Sequence, residues 1–199
     1  GPFSENLGEN IFQLDEEEVV LCLNYDGKFG LNNMNQYFQN ANTNSEAFSW
    51  EEWNYKIGDK IIFTNTKRSA LLYNNLKGTI KNISYGEKRI IFEIEVKAFF
   101  TESQCEKEPF EYISRTENGT IIELDVIAWD DELSEEEKMR TVIPFQLAYA
   151  ISIHKAQGLE YKSIKVVIPS NNAEKITHSI FYTAITRAKE KLKIFWSAE

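Results

Sequence analysis

Val19-Val20-Leu21-Cys22-Leu23 is a short unbroken apolar run. That is the pattern of a strand buried on both faces, and such strands belong in parallel sheets covered by helices. A turn over Asn24-Tyr25-Asp26-Gly27-Lys28 follows, and Leu31, Met34, Tyr37 and Phe38 then recur at helical spacing through Asn40. Asn40 to Ser49 is rich in Asn, Ser and Thr and predicts a loop, with Trp50 and Trp53 as anchors where packed structure resumes. From Gly58-Asp59 the pattern changes to short strands over Lys60–Thr64, Gly78–Ser84, Arg89–Val96 and Thr120–Ala128, broken by Asn74-Asn75, Tyr85-Gly86 and Asn118-Gly119 turns. These predict a small, strongly bent β-barrel of about five strands.

Beyond an acidic stretch the first pattern returns. Pro144 opens a predicted helix from Phe145 to Gln157, closed by Gly158 at a left-handed stop. Ile164 to Pro169 reads as another buried strand, Glu174 to Lys191 as a helix with Ile176, Ile180, Thr183, Ala184 and Arg187 along one stripe, and Leu192–Trp196 as a last strand. An α/β layer interrupted by a small barrel results.

Charge refines this picture. The 199 residues hold 22 Lys plus Arg and 31 Asp plus Glu, a net of −9, which taken whole argues against a polyanion partner. Residues 100–140 alone hold 13 acids and 4 bases, so the excess is confined there. Residues 56–99 carry 9 bases and 4 acids, and residues 141–199 carry 8 bases and 4 acids. The acidic runs Asp130-Asp131-Glu132 and Glu135-Glu136-Glu137 read as a solvated loop or helix start rather than a metal site. Cys22 and Cys105 lack metal or disulfide spacing and are expected to be reduced thiols. No apolar run approaches the roughly 18 residues of a membrane span. No membrane partner and a cytoplasmic location are expected. Gly1-Pro2, without a methionine, reads as the scar of tag removal from a piece of something longer.

Two segments are unusual for plain core: Ser152-Ile153-His154-Lys155-Ala156-Gln157-Gly158-Leu159-Glu160-Tyr161 and Tyr182-Thr183-Ala184-Ile185-Thr186-Arg187-Ala188-Lys189. Each sets polar groups among small and apolar residues at the edge of an α/β element, where open sheets place ligand-contacting loops. The residues by themselves support an anion site and no more.

The two segments resemble motifs V and VI of superfamily 1 DNA helicases of the RecD-like and UvrD-like group, over Phe145 to Trp196, and Val20 to Asn35 resembles more loosely the start of the same second motor domain. The resemblance implies a discontinuous RecA-like parallel-sheet domain, residues 3–55 and 143–199, with a Src-homology-3-like small β-barrel inserted at 56–142. It places Arg187 on the arginine finger, which reaches the γ-phosphate bound on the neighbouring motor domain. It places Gln157, Gly158 and Glu160 in the nucleotide cleft, Glu160 toward the ribose hydroxyls, and Ser152, His154 and Lys155 on the single-stranded DNA track. Gly158 also reads as a helix stop, and a lone arginine near a helix end as a complement to a helix dipole. Tyr182 fits packing as well as function, and His178 reads as structural. His154 has no carboxylate partner in sequence, so a triad with Ser152 is rejected. In the barrel, Lys67-Arg68, Lys77, Lys81, Lys88 and Arg89, with Phe63, Tyr73 or Tyr85 for stacking, form either a DNA-facing surface or an ordinary soluble one, and Phe92 reads as core.

A phosphate loop and a carboxylate for Mg²⁺ are missing from the sequence. ATP and Mg²⁺ are therefore expected cofactors of a full-length enzyme, with the metal ligands and the first motor domain in an N-terminal part of the same chain, and with 5′-to-3′ polarity by the RecD-like resemblance. The alternative is a non-enzymatic nucleic-acid or protein-binding module derived from a helicase. A further expectation is a protein partner docked through the barrel or the acidic segment.

Overall fold

In chain order the elements are β1 (Glu18–Cys22), α1 (Leu31–Ala41), β2 (Phe48–Trp50), β3 (Trp53–Tyr55), β4 (Lys60–Phe63), β5 (Lys77–Gly86), β6 (Arg89–Val96), α2 (Glu102–Cys105), β7 (Glu111–Arg115), β8 (Thr120–Ile127), α3 (Glu135–Met139), β9 (Phe145–Leu147), β10 (Ala150–Ser152), β11 (Tyr161–Ile168), α4 (His178–Ile185) and β12 (Ala188–Trp196). The computed structural model describes residues 14–15, 17–23, 25, 27, 29–44, 46–64, 67, 69–168 and 178–196. Asn24, Asp26 and Lys28 of the expected turn, Arg68, Pro169, the Glu174–Ile176 start of the last expected helix, and the Gly1-Pro2 scar lie outside them.

The chain forms two compact units, Gly1–Ala41 with Ala148–Glu199, and Asn42–Leu147. The expected division at 55/56 and 142/143 shifts for a physical reason. Phe48, Trp50 and Tyr55 of the β2–β3 hairpin pack on the second unit's core, and β9 pairs there with β4, Phe63 opposite Phe145.

The first unit is a parallel sheet in the order β10-β1-β11-β12. The buried run predicted at Val19 is its second strand, with Val20, Leu21 and Cys22 fully buried. On one face, Val19, Leu21, Ile151, Ile164 and Val166 form a core with Ala156 from the β10–β11 connection and Ala184 from α4. The predicted helix at Leu31 is present: Leu31, Met34 and Phe38 are buried on one stripe, and burying a side chain such as Met34 contributes roughly 1.5–3 kcal/mol. Beside them Asn35 closes the outer edge of β10, donating to the Ala150 carbonyl at 2.9 Å and accepting from its N–H at 2.8 Å.

The predicted helix over Phe145–Gln157 is not there. Its first part is β9 and β10, strands in two different sheets joined by Ala148-Tyr149, and its second part is turns through Gly158. Partners far away in sequence, β4 and β1, supply ladder bonds that override local helical preference. Gly158 is therefore no helix stop, yet its φ of +82° still favours glycine. The last predicted helix also ends early: α4 stops at Ile185, and Ala188 to Lys191 already belong to β12, paired with the start of β11.

The second unit is a six-stranded antiparallel sheet in the order β7-β8-β6-β5-β4-β9, against about five strands expected, with β7 and the β2–β3 hairpin unforeseen. β8 alternates strictly, with Ile122, Leu124 and Val126 in the core and Ile121, Glu123, Asp125 and Ile127 outside. Phe92 and Phe145 meet edge to face, 5.1 Å between ring centres, at the middle of this core. At the β7–β8 turn a Cβ on Gly119 would lie 1.8 Å from the Val96 carbonyl oxygen, so the close approach admits only glycine. Among the described residues no helix is long and apolar enough to cross a membrane, and both cysteines are free and buried.

Candidate functional site

Both candidate segments lie in the first unit, and the chain between β10 and β11 sets their geometry. Ser152 ends β10 at the level of Cys22. Cys22 pairs with Val167, six residues beyond Tyr161, so the connection Ile153–Glu160 returns about 20 Å along the strand direction before β11 begins. It does so in tight turns. The Ser152 carbonyl accepts from the Ala156 N–H at 3.1 Å, the Ser152 hydroxyl accepts from the Lys155 N–H at 3.2 Å, and the His154 carbonyl accepts from the Gln157 N–H at 3.3 Å. Ala156 anchors the turns in the core, leaving His154, Gln157, Gly158 and Glu160 exposed and Lys155 half-buried. Ser152 itself is 2% exposed, so its hydroxyl organises the turn from inside.

Arg187 sits at the other end of the sheet, between α4 and β12. Its carbonyl accepts from the Tyr161 N–H at 2.9 Å, which fixes the start of β11 against the start of β12. Its guanidinium donates to the Thr183 carbonyl through Nε at 3.3 Å, to the Leu159 carbonyl through Nη1 at 3.3 Å, and to the Thr186 hydroxyl through Nη2 at 3.2 Å. Thr183 lies in the last turn of α4, so complementing a helix dipole is part of what Arg187 does. None of these acceptors is charged, and among the described residues no carboxylate pairs with Arg187.

Glu160 is brought beside it. The Lys189 ammonium lies 2.7 Å from the Glu160 carboxylate. Leu159, Glu160 and Tyr161 are thus each bonded to Arg187 or Lys189, and the two segments meet residue by residue along one seam. Arg187 and Glu160 are linked through Leu159 and Lys189, whereas Ser152, His154 and Lys155 lie at the carboxyl end of β10, at the other end of the sheet, with Gln157 and Gly158 between them along the chain. Lys189 was missed in the sequence, although its spacing of two from Arg187 was a visible signal. Tyr182 and His178 are both exposed.

A second charged group was also missed. Lys165 and Glu18 are fully buried side chains 3.0 Å apart, with the Ser163 hydroxyl donating to Glu18 at 2.7 Å and Lys193 at 3.1 Å from it. Burial raises the Glu18 carboxyl, but hydrogen bonds from Ser163, Lys165, Lys193 and the Asp15 N–H outweigh it and hold the group below the ordinary carboxylate range.

On the second unit, three of the basic residues weighed for a DNA-facing surface carry ion pairs. Lys81 pairs with Glu95 at 2.8 Å, Lys88 with Asp130 at 3.7 Å and Arg89 with Asp125 at 3.4 Å. Phe63 is fully buried and so cannot stack on a base, and the Tyr85 hydroxyl donates to the Ser49 carbonyl; Tyr73 remains exposed. Among the described residues no group of three or more His, Cys, Asp or Glu could hold a metal ion.

Residues 147–194, which hold both candidate segments, match the UvrD-like helicase C-terminal domain family. The curated relatives the chain resembles include RecD and Pif1 proteins. The chain is 23% identical over 195 residues to the RecBCD enzyme subunit RecD of Buchnera aphidicola (subsp. Schizaphis graminum), covering 96% of the chain and 27% of that protein. It is 31% identical over 114 residues to the ATP-dependent DNA helicase Pif1 of Campylobacter jejuni, covering 57% of the chain and 23% of that protein. The crystal structure of Pif1 helicase from Candida albicans shares the fold, with a TM-score of 0.51 at 14% identity over 90% of this chain and 44% of that one. The chain thus spans about a quarter of the length of these curated relatives.

Proposed function

We propose that the first unit is the second motor domain of an ATP-dependent DNA helicase, and that the second unit is its inserted small barrel. The observation that carries this reading is Arg187: a half-buried guanidinium, held ready by three neutral oxygens and matched by no carboxylate among the described residues. Charge-assisted bonds to phosphate oxygens are roughly twice as strong as bonds to neutral acceptors, so a triphosphate on a facing domain would draw the fork away from Thr183 and Leu159. There the guanidinium offsets charge that builds on the γ-phosphoryl oxygens as the phosphoryl group leaves. Because the finger acts on a nucleotide held by the other motor domain, it has no need to lie at the carboxyl ends of its own sheet, where open sheets place their ligands.

Exposed Gln157, Gly158 and Glu160 line the same cleft. Mg²⁺ would neutralise phosphate charge there, held by the first motor domain. At the carboxyl end of β10, His154 and Lys155 present an imidazole and an ammonium toward the phosphates of single-stranded DNA, and Ser152 keeps their turn in shape. ATP closing the two motor domains and hydrolysis reopening them would move the strand, in the 5′-to-3′ sense by the RecD-like resemblance.

The test is the ATPase rate of the full gene product with and without single-stranded DNA, beside the 199-residue chain alone. Hydrolysis stimulated by DNA in the full product and absent from the 199 residues is expected. A full product without ATPase activity would favour a binding module descended from a helicase.

A further inference from the structure

Arg187 is the cation that the motif match singles out, yet the seam holds a second. Lys189 stands two residues on, and its one carboxylate partner among the described residues is Glu160, at 2.7 Å. Both side chains of this pair are well exposed, 61% and 58%, and an ion pair in that setting contributes only about 0–1 kcal/mol. A weak, wet pair beside an unmatched guanidinium is easily exchanged for a multivalent anion.

We propose that Lys189 is a second phosphate-contacting residue of the site, and that Glu160 is its counter-ion in the nucleotide-free state, displaced when a polyphosphate binds. This rests on the reading of Arg187 as a phosphate contact. The backbone supports concerted action. The Arg187 carbonyl holds the Tyr161 N–H, the Arg187 guanidinium holds the Leu159 carbonyl, and Lys189 holds the Glu160 side chain between them. A polyphosphate that draws Arg187 from Leu159 loosens the residue next to Glu160 at the same moment. Glu160 then guards the site against weak anions: a monoanion cannot repay the loss of the carboxylate, whereas a triphosphate spans both cations.

The proposal reverses the sign expected for Glu160. A residue that only gripped the nucleotide would weaken binding when neutralised; a counter-ion strengthens it. The probe is inorganic triphosphate, titrated into the 199-residue chain and followed through the amide resonances of residues 159–161 and 186–190, with thermal unfolding of each variant as a check of folding. Glu160→Gln is expected to tighten triphosphate about threefold, the size of a surface ion pair. Lys189→Gln is expected to weaken it about tenfold, as for a lost charge-assisted bond, and Lys189→Arg to restore most of that. Looser binding in Glu160→Gln, or none of the expected loss in Lys189→Gln while Arg187→Ala still abolishes binding, overturns the proposal. Intact binding in Arg187→Ala with loss in Lys189→Gln overturns instead the role of Arg187.

Discussion

The two units use charge differently. In the antiparallel unit the core is apolar and aromatic, the ion pairs of Arg89 and Arg140 with Asp125 and of Lys81 with Glu95 keep their cations in solvent, and the buried Asp59 carboxylate accepts from the Lys56 N–H and the Asn42 amide. The parallel unit buries an ion pair, Lys165 with Glu18, between strands, and leaves Arg187 without a carboxylate partner among the described residues at a strand start. Surface ion pairs occur in both units, including Lys162 with Glu17 and Lys189 with Glu160 in the parallel one, but among the described residues the pair with both side chains fully buried belongs to the parallel unit. The difference bears on where the candidate site lies: the unit with the buried ion pair also carries Arg187, without a carboxylate partner among the described residues.

The comparison can be pressed at its largest energies first. Phe92→Ala empties the centre of the antiparallel core, where Phe92 touches Tyr55 and Phe145, and should cost about 4 kcal/mol. Hydrogen exchange should show protection lost at Ile94 and Leu124 and kept at Val20 and Val166. Glu18→Gln leaves Lys165 buried without its anion and should cost the parallel unit about 3 kcal/mol, whereas the joint change Glu18→Gln with Lys165→Met should recover much of it.

Acid separates the units as well. The Glu18 pKa is lowered on folding, so its ionised form stabilises the parallel unit fully above the ordinary carboxylate value of about 4.3, and that contribution is lost as pH falls through the lowered folded value. Glu123 shifts the other way: burial and its neighbours Glu111 and Glu93, both directly opposite it on adjacent strands, hold its carboxyl above the ordinary range. Its ionisation costs the antiparallel unit stability above that raised value, and the cost fades as pH drops through it. Glu123→Gln should therefore stabilise that unit at neutral pH by about 0.5 kcal/mol, an advantage that unfolding curves should show disappearing in acid.

How much of this is legible in the sequence follows the same line. Alternation over part of each strand, Phe92 to Val96 in β6 and Ile122 to Val126 in β8, makes both readable from the order of residues. The first buried strand and the helix at Leu31 are equally plain. β10 is not, because three residues, Ala150–Ser152, become a strand only beside Val20–Cys22, far away in the chain. Pro144 ahead of an apolar stretch and Gly158 behind it make a helix the better local answer, and the ladder bonds that overrule it are invisible locally. Of the candidate site, Arg187, Glu160 and the residues from Ser152 to Gly158 are legible through a motif, though their turn conformation is not; Lys189 is half legible, since its spacing from Arg187 is visible but the Glu160 carboxylate it meets is not. Buried Lys165, inside Ile164–Ile168, stands in plain sight as a charge in an apolar run and signals a partner such as Glu18.

The central claim is that Arg187 is held ready for a phosphate bound on another domain. Its most direct measurement is the DNA-stimulated ATPase turnover of the full gene product with Arg187→Ala beside the unchanged protein, after both are shown to unfold at the same temperature. The account expects a loss of about 10³-fold in kcat, the effect of removing an arginine finger. Turnover within about threefold of the unchanged protein would contradict it, because so small an effect is what losing a surface ion pair yields.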